Sequence, residues 1–220
     1  MGQLIAIVSN PRAGSTLLHD LIAGHTEIIG GGELCHPSLF RDVPYEERGT
    51  LKVDTIKGKM KNSDNFVFKY FYQHADEKID EFLTEEKAKV IFLYRSPLDM
   101  FISEKLVEEN SLQWEGRYEI EHLTIDPREL ERFLLRTIAY QKEAMNKFSG
   151  LDLMKVHYKY LCDQPKLQME RVFAFLGVNF QMTKASTKKQ RTKNNKETIS
   201  NMEELLYYFL DQFHGKYFAS

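Results

Sequence analysis

Residues 9–18 read SNPRAGSTLL and follow directly on the apolar run LIAIV at 4–8. An apolar run stopped by Asn10-Pro11, then a glycine, then two hydroxyl residues opening an amphipathic stretch predicts a strand, a tight turn and a helix N-terminus. Such a junction aims backbone N–H groups and the positive end of the helix dipole at one place, which suits a phosphate or a sulfate. Gly14 permits the turn, Ala13 contributes its backbone N–H, and Ser15 and Thr16 add hydroxyl donors. Against the nucleoside-triphosphate loop G-x-x-x-x-G-K-[ST], Ser9 stands at the first glycine and Ser15 at the lysine. The cation is instead Arg12, two residues before Gly14, placed to reach over the loop toward a leaving group. Taken alone, the loop has a plainer reading, with Ser15 an ordinary N-cap and Arg12 a surface charge.

Period and punctuation carry the same alternation along the chain. Residues 3–9, 66–71 (FVFKYF) and 89–95 (KVIFLYR) read as buried strands, and DLMKVHYKYL at 152–161 as a fourth strand with its exit. Helical patterns occupy 15–24, 75–83, the stretch opened by Pro97, 126–148 with Asp126 as N-cap and Pro127 at N1, 164–177 closed by Gly177, and 201–213. Strand and helix alternating in this way predict an α/β fold, P-loop-like, with a central parallel sheet flanked by helices, whose ligands gather at the carboxyl ends of the strands. At 220 residues, one domain spanning 1–220 is expected.

Composition narrows the function classes. The formal net charge is −2, so basic work is local and nucleic acid is not an expected partner. Cys35 and Cys162 are too few for a disulfide framework, and no secretory leader or membrane span is read, which points to a soluble protein in the cytoplasm.

A second strand-to-helix junction, YRSPLDMFIS at 94–103, puts Arg95 at a strand end and Ser103 eight residues later, about two turns into a helix. A guanidinium with a nearby hydroxyl makes a second anion site, and two such sites on adjacent strand ends imply a ligand with two separated phosphate groups. Between the two junctions lies IIGGGELCHPS at 28–38. Its glycines let backbone pass close to a ligand, and Glu33 and His36 are both suited to take a proton from a hydroxyl. Glu33 also reads as a structural partner for a basic neighbour such as Arg12.

The ordered blocks PRAGSTLL, GHTEIIGGGEL, VIFLYRSPLDMFIS and VHYKYLCDQPKLQMERVFAFLGV resemble the PAPS-dependent sulfotransferases, in the branch holding tyrosylprotein, carbohydrate and bacterial enzymes, and cover residues 5 to about 206. The resemblance implies that Arg12, Ala13, Gly14, Ser15 and Thr16 hold the 5′-phosphosulfate of PAPS, that Arg95 and Ser103 hold the 3′-phosphate, and that Tyr158 lies near the nucleotide. It assigns Lys189, Gln190 and Arg191, in the basic stretch 183–196, to a loop closing over the nucleotide. Two departures stand out: Ala13 replaces a common Ser or Thr, and Lys159 a usual Glu. The implied reaction moves the sulfuryl group to an acceptor hydroxyl on a carbohydrate, lipid, small molecule or peptide and leaves PAP, with Glu33 or His36 as base, Arg12 stabilising charge, and no metal. A P-loop nucleotide or small-molecule kinase and a non-catalytic PAP-binding protein are the other readings. Aromatics that interrupt the alternation, Phe40, Tyr45, Trp114 and Tyr118, are expected to wall the acceptor site.

Overall fold

The strand that leads into the opening loop lies at the centre of the sheet. The computed structural model describes residues 2–60, 65–74, 76–110, 122–186 and 194–218, with side chains to 211. Among them β1 (Gln3–Ser9) is buried over all but its first residue and pairs with β3 (Asn65–Phe71) on one side and β4 (Lys89–Tyr94) on the other. β2 (Ile29–Gly32) and β5 (Leu153–His157) complete the order β2-β3-β1-β4-β5, with every pair parallel. A central parallel strand is covered on both faces, which is why β1 reads as an unbroken apolar run.

By the clustering of its contacts the chain divides into two compact units, residues 1–95 with 140–188, and residues 96–139 with 189–220. The first holds the whole sheet. Alternation along its strands sorts the side chains: Leu4, Ala6, Val8, Phe66, Phe68, Tyr70, Val90 and Phe92 form one cluster with Ile56 of α2 (Tyr45–Met60), Ile79, Phe82 and Leu83 of α3 (Glu77–Glu85), and Ala144 and Phe148. Residues of the other parity, Ile5, Ile7, Val67, Ile91 and Leu93, are also fully buried. That is the side on which α1 (Ser15–Ala23) meets β1, β2 and β3, and on which α7 (Pro165–Leu176), following the short α6 (Tyr158–Asp163), meets α1 and β5. Lys69 of β3 has this second parity, an odd polar residue at the carboxyl end of a strand beside β1.

The strand order sets where a ligand crevice opens. From β1 the chain crosses toward β2 and β3, and from β4 it crosses the opposite way to β5, so the connections part between the carboxyl ends of β1 and β4. The loops that carry Arg12 and Arg95 leave from these two ends.

The second unit contains α4 (Pro97–Glu109), the first part of α5 (Pro127–Lys147), α8 (Asn195–Thr198) and α9 (Met202–Phe218). Its core gathers Phe101, Ile102, Leu106, Val107, Leu123, Ile125, Leu130, Ile199 and Leu205. Asp126 caps α5 by accepting the Arg128 N–H at 2.9 Å, and Asn201 clips Ile125 by bonding both its N–H and its carbonyl, at 3.0 and 2.9 Å.

Two elements differ from the sequence expectation. β2 is a fifth strand beyond the four read from the sequence; IGGG has little intrinsic strand preference and is a strand because β3 offers it a ladder, with a register slip between Gly30 and Gly32. Residues 45–60, read from the sequence only for Tyr45, are the 16-residue α2, whose exposed, glycine-containing pattern gives little helical signal and whose buried residues are Gly49, Lys52 and Ile56.

Under the sheet, Tyr70 Oη donates to Asp80 Oδ1 at 2.9 Å and accepts the Asp76 N–H at 2.9 Å, while Lys147 Nζ bonds Asp80 Oδ2. Burial, then the Asp80 carboxylate, push the Tyr70 phenol far above its ordinary value, so it stays a donor. Asp80→Ala leaves that hydroxyl without its acceptor and is expected to lower the unfolding free energy by about 2–4 kcal/mol, read from urea midpoints, with Asp80→Asn losing less.

Candidate functional site

The turn after β1 is held in an unusual conformation from outside itself. Arg12 has φ 61° and Gly14 φ 97°, both left-handed. A non-glycine residue pays roughly 1–2 kcal/mol for such a φ, so neighbours must impose it. Arg95 Nη1 donates to the Arg12 carbonyl at 2.9 Å, and the Arg95 guanidinium lies 4.5 Å over the centre of the Tyr158 ring. That ring occupies the space where Gly14 has no side chain; a Cβ there would stand 2.3 Å from Tyr158 Cδ2. Arg12, Gly14, Arg95 and Tyr158 are thus brought into one assembly from three segments of chain.

α1 starts from this turn. Gly14 is its N-cap, no described side chain caps the first-turn N–H groups, and Ser15 is the first helical residue, buried at 4% exposure. The plainer reading of Ser15 as N-cap therefore does not hold. Ala13 is buried, Thr16 is exposed at the helix mouth, and behind the turn Ser9 Oγ and Asn10 Oδ1 are buried with no hydrogen-bond partner among the described residues. The uncapped helix N-terminus and the orphaned Ser9 hydroxyl, which can donate, fit an anionic group such as a phosphosulfate, whereas Asn10 Oδ1 is an acceptor that such an anion does not satisfy.

A second line of polar groups crosses the end of the sheet. Lys69 Nζ donates to Thr16 Oγ1 at 3.3 Å and lies 3.6 Å from Glu33 Oε2, while Glu33 Oε1 lies 3.9 Å from His36 Nε2. His36 is turned by Ser38, which meets Nδ1 with its hydroxyl at 2.6 Å and its N–H at 3.2 Å, and packs edge-on to His74 with ring centres 5.3 Å apart. Burial, then the neighbouring His36 and Lys52, hold the His74 pKa below its ordinary value. Glu33 leaves β2 through Gly32, whose N–H is accepted by His19 Nε2 at 3.0 Å. The arrangement joins an anion cradle to a carboxylate able to accept a proton, with an ammonium between the two.

Lys69 and His19 escape sequence reasoning: Lys69 is a single polar residue inside an apolar strand, and His19, beside Asp20, reads as part of the polar face of an amphipathic helix. Strand parity, taken with the adjacency of β3 to β1, is the signal that finds Lys69. Ser103 belongs to the second unit as the seventh residue of α4 and is half-buried there. Lys189, Gln190 and Arg191 lie outside the described residues, as do Trp114 and Tyr118. Phe40 is buried, with Lys52 Nζ 5.9 Å over its ring, whereas Tyr45 is exposed. Among the described residues no group of three or more His, Cys, Asp or Glu is placed to hold a metal ion, and no helix is long and apolar enough to cross a membrane.

Fold and loop together define an α/β protein of the phosphate-loop kind. The model of the sulfotransferase domain family matches residues 3–212, and the chain belongs to that family. Nodulation protein H of Rhizobium tropici is 23% identical over 230 residues, covering 96% of this chain and 91% of that protein. Among solved structures, a sulfotransferase from Alicyclobacillus acidocaldarius superposes with a TM-score of 0.58 at 16% identity, covering 96% and 92% of the two chains. A mouse sulfotransferase, SULT7A1, complexed with PAP gives 0.52 at 14% identity over 81% and 60%. The fold is shared more widely: a shikimate kinase from Bacteroides thetaiotaomicron gives 0.53 at 13% identity over 80% and 99%.

Gly14→Ala places a methyl group against the Tyr158 ring at a φ that L-residues disfavour. It is expected to cost at least about 2 kcal/mol in chemical denaturation, and adding Tyr158→Ala should recover the steric part alone.

Proposed function

We propose that residues 1–220 act as one sulfotransferase domain that moves the sulfuryl group of PAPS to an acceptor hydroxyl and releases PAP. The observation that carries the reading is the line Thr16–Lys69–Glu33, which sets a proton acceptor beside an uncapped helix N-terminus in a chain of this family. PAPS supplies the activated sulfuryl group; a bond forms from the acceptor oxygen to sulfur, and the bond from sulfur to the 5′-phosphate oxygen breaks. Glu33 receives the acceptor's proton, and His36, at 3.9 Å, is the next group able to take it on or to replace Glu33 as base. The loop N–H groups of Ala13 to Thr16, the Ser15 and Thr16 hydroxyls and the Arg12 guanidinium stabilise the charge that collects on the departing 5′-phosphate oxygen. Lys69, between Thr16 and Glu33, adds an ammonium to the same charge and orients the carboxylate. Arg95 holds the 3′-phosphate and Tyr158 borders the nucleotide. No metal is assigned a role.

A kinase is the second reading, favoured by the fold shared with shikimate kinase. Ser15 at the place of the phosphate-loop lysine weighs against it, since that lysine grips the outer phosphates of a triphosphate. Two measurements test the proposal. In calorimetry and thermal shift, PAP should bind and stabilise the protein while ATP with magnesium does not; the reverse result favours the kinase. Arg95→Ala should weaken both PAP and adenosine 5′-phosphosulfate, because it loosens the loop that Arg95 holds, but PAP by more, since the latter lacks the 3′-phosphate; equal weakening removes Arg95 from the 3′-phosphate.

The base is tested separately. Glu33→Gln should lower kcat by about 10²–10⁴ with PAP binding retained, and an unchanged kcat moves His36 into its place. No turnover in the unsubstituted protein across pooled carbohydrate, phenol, lipid and peptide acceptors, with PAP still bound, favours a non-catalytic PAP-binding protein.

A further inference from the structure

His19 stands inside the first helix, one turn from the anion loop, and nothing in the reaction requires it. We propose that it is a positioning residue: its neutral ring pins the Gly32 turn from which Glu33 projects, and a proton on Nε2 releases that turn. The inference rests on the reading of Glu33 as the base.

The geometry fixes the tautomer. His19 Nε2 lies 3.0 Å from the Gly32 nitrogen, whose N–H can only donate, so Nε2 presents its lone pair and the ring proton sits on Nδ1. Nδ1 lies 3.5 Å from Asp20 Oδ1, and the other Asp20 oxygen accepts from the Ser186 N–H and hydroxyl, which keeps the carboxylate in place. The ring is wedged against β2: a Cβ on Gly30 would stand 2.9 Å from His19 Cε1 and 3.0 Å from Nε2. The bond it makes falls where the β2–β3 register slips, and Gly32 itself has φ 69°, a conformation the sheet ladder does not enforce. The next residue is Glu33. His19 thus supplies, from α1, a hydrogen bond at the point where β2 departs from its ladder.

The charged groups acting on the ring are Asp20 on its own helix and Lys69 on β3, and Lys69 also pairs with Glu33 on the segment after β2. Burial foremost, and Lys69 after it, favour the neutral ring, and together they outweigh Asp20, so the pKa lies below its ordinary 6.5. Above neutral pH the latch is therefore closed. On acidification the second proton turns Nε2 into a donor facing a donor, and the bond to Gly32 is lost. Stability has the same sign, because the folded chain takes up this proton less readily than the unfolded one and loses stability as pH falls through 6.5.

The test combines an amide titration with kinetics. In the unsubstituted protein the Gly32 amide resonance should follow the ionisation of the His19 ring, both read by NMR. His19→Gln keeps an acceptor oxygen that does not titrate, and it should hold kcat within a few-fold above neutral pH while its acid limb moves to lower pH. His19→Leu removes the acceptor and should lower kcat by about tenfold to a hundredfold with the KM for PAPS within twofold. A Gly32 amide indifferent to His19 ionisation, or Gln and Leu variants with the same kcat and the same acid limb, overturns the proposal. Glu33→Gln separates the two readings: if it is fully active while the Gly32 amide still titrates with His19, the base assignment falls and the latch stands.

Discussion

The hydrogen bond from Arg95 to the Arg12 carbonyl is the contact on which the rest of the site depends. A left-handed arginine followed two residues later by a left-handed glycine is not a turn that a short peptide would keep. The chain keeps it because β4 delivers a guanidinium to the carbonyl and the end of β5 delivers an aromatic ring to the glycine, with that guanidinium stacked on the ring. Three parallel strands end side by side, and each contributes one part of the clamp. The direction in which α1 sets out, and so the place at which its N–H groups converge, follows from this clamp. Under the proposed function the residue assigned to the 3′-phosphate also shapes the loop assigned to the 5′-phosphosulfate, so the two ends of the nucleotide are read by one connected piece of protein.

Much of this was legible in the sequence because the three inner strands are buried on both faces. β1, β3 and β4 announce themselves as apolar runs, β5 is marked only by Leu153, Met154 and Val156 around an exposed Lys155, and the proline, aspartate and glycine punctuation sets the ends of α5 and α7 close to where they fall. β2 and α2 were not legible for the opposite reason: IGGG and a polar helix with two glycines have weak local preferences, and only their neighbours decide what they are. The same holds within the site. Arg12 to Thr16 and Arg95 could be picked out because loop residues at strand ends stand out against an apolar background, and Glu33 because it follows a glycine run. Lys69 and His19 could not, since their significance lies in the sheet order and in which way each faces.

Under the proposed function, the polar line across the sheet end lets a shared fold serve a different anion. A lysine inside the phosphate loop would sit among the outer phosphates of a triphosphate. Here the loop has none at that position, and an ammonium arrives instead from the adjacent strand, where it meets a loop hydroxyl on one side and a carboxylate on the other. Moving the charge off the loop and onto the sheet couples it to the group proposed to take the proton.

β2 is an edge strand, four residues long, paired on one flank and interrupted by a slip in register. Segments of that kind open by local fluctuation far more cheaply than a central strand does. The glutamate therefore follows directly on an edge strand, so that losing its alignment demands less unfolding than melting the domain.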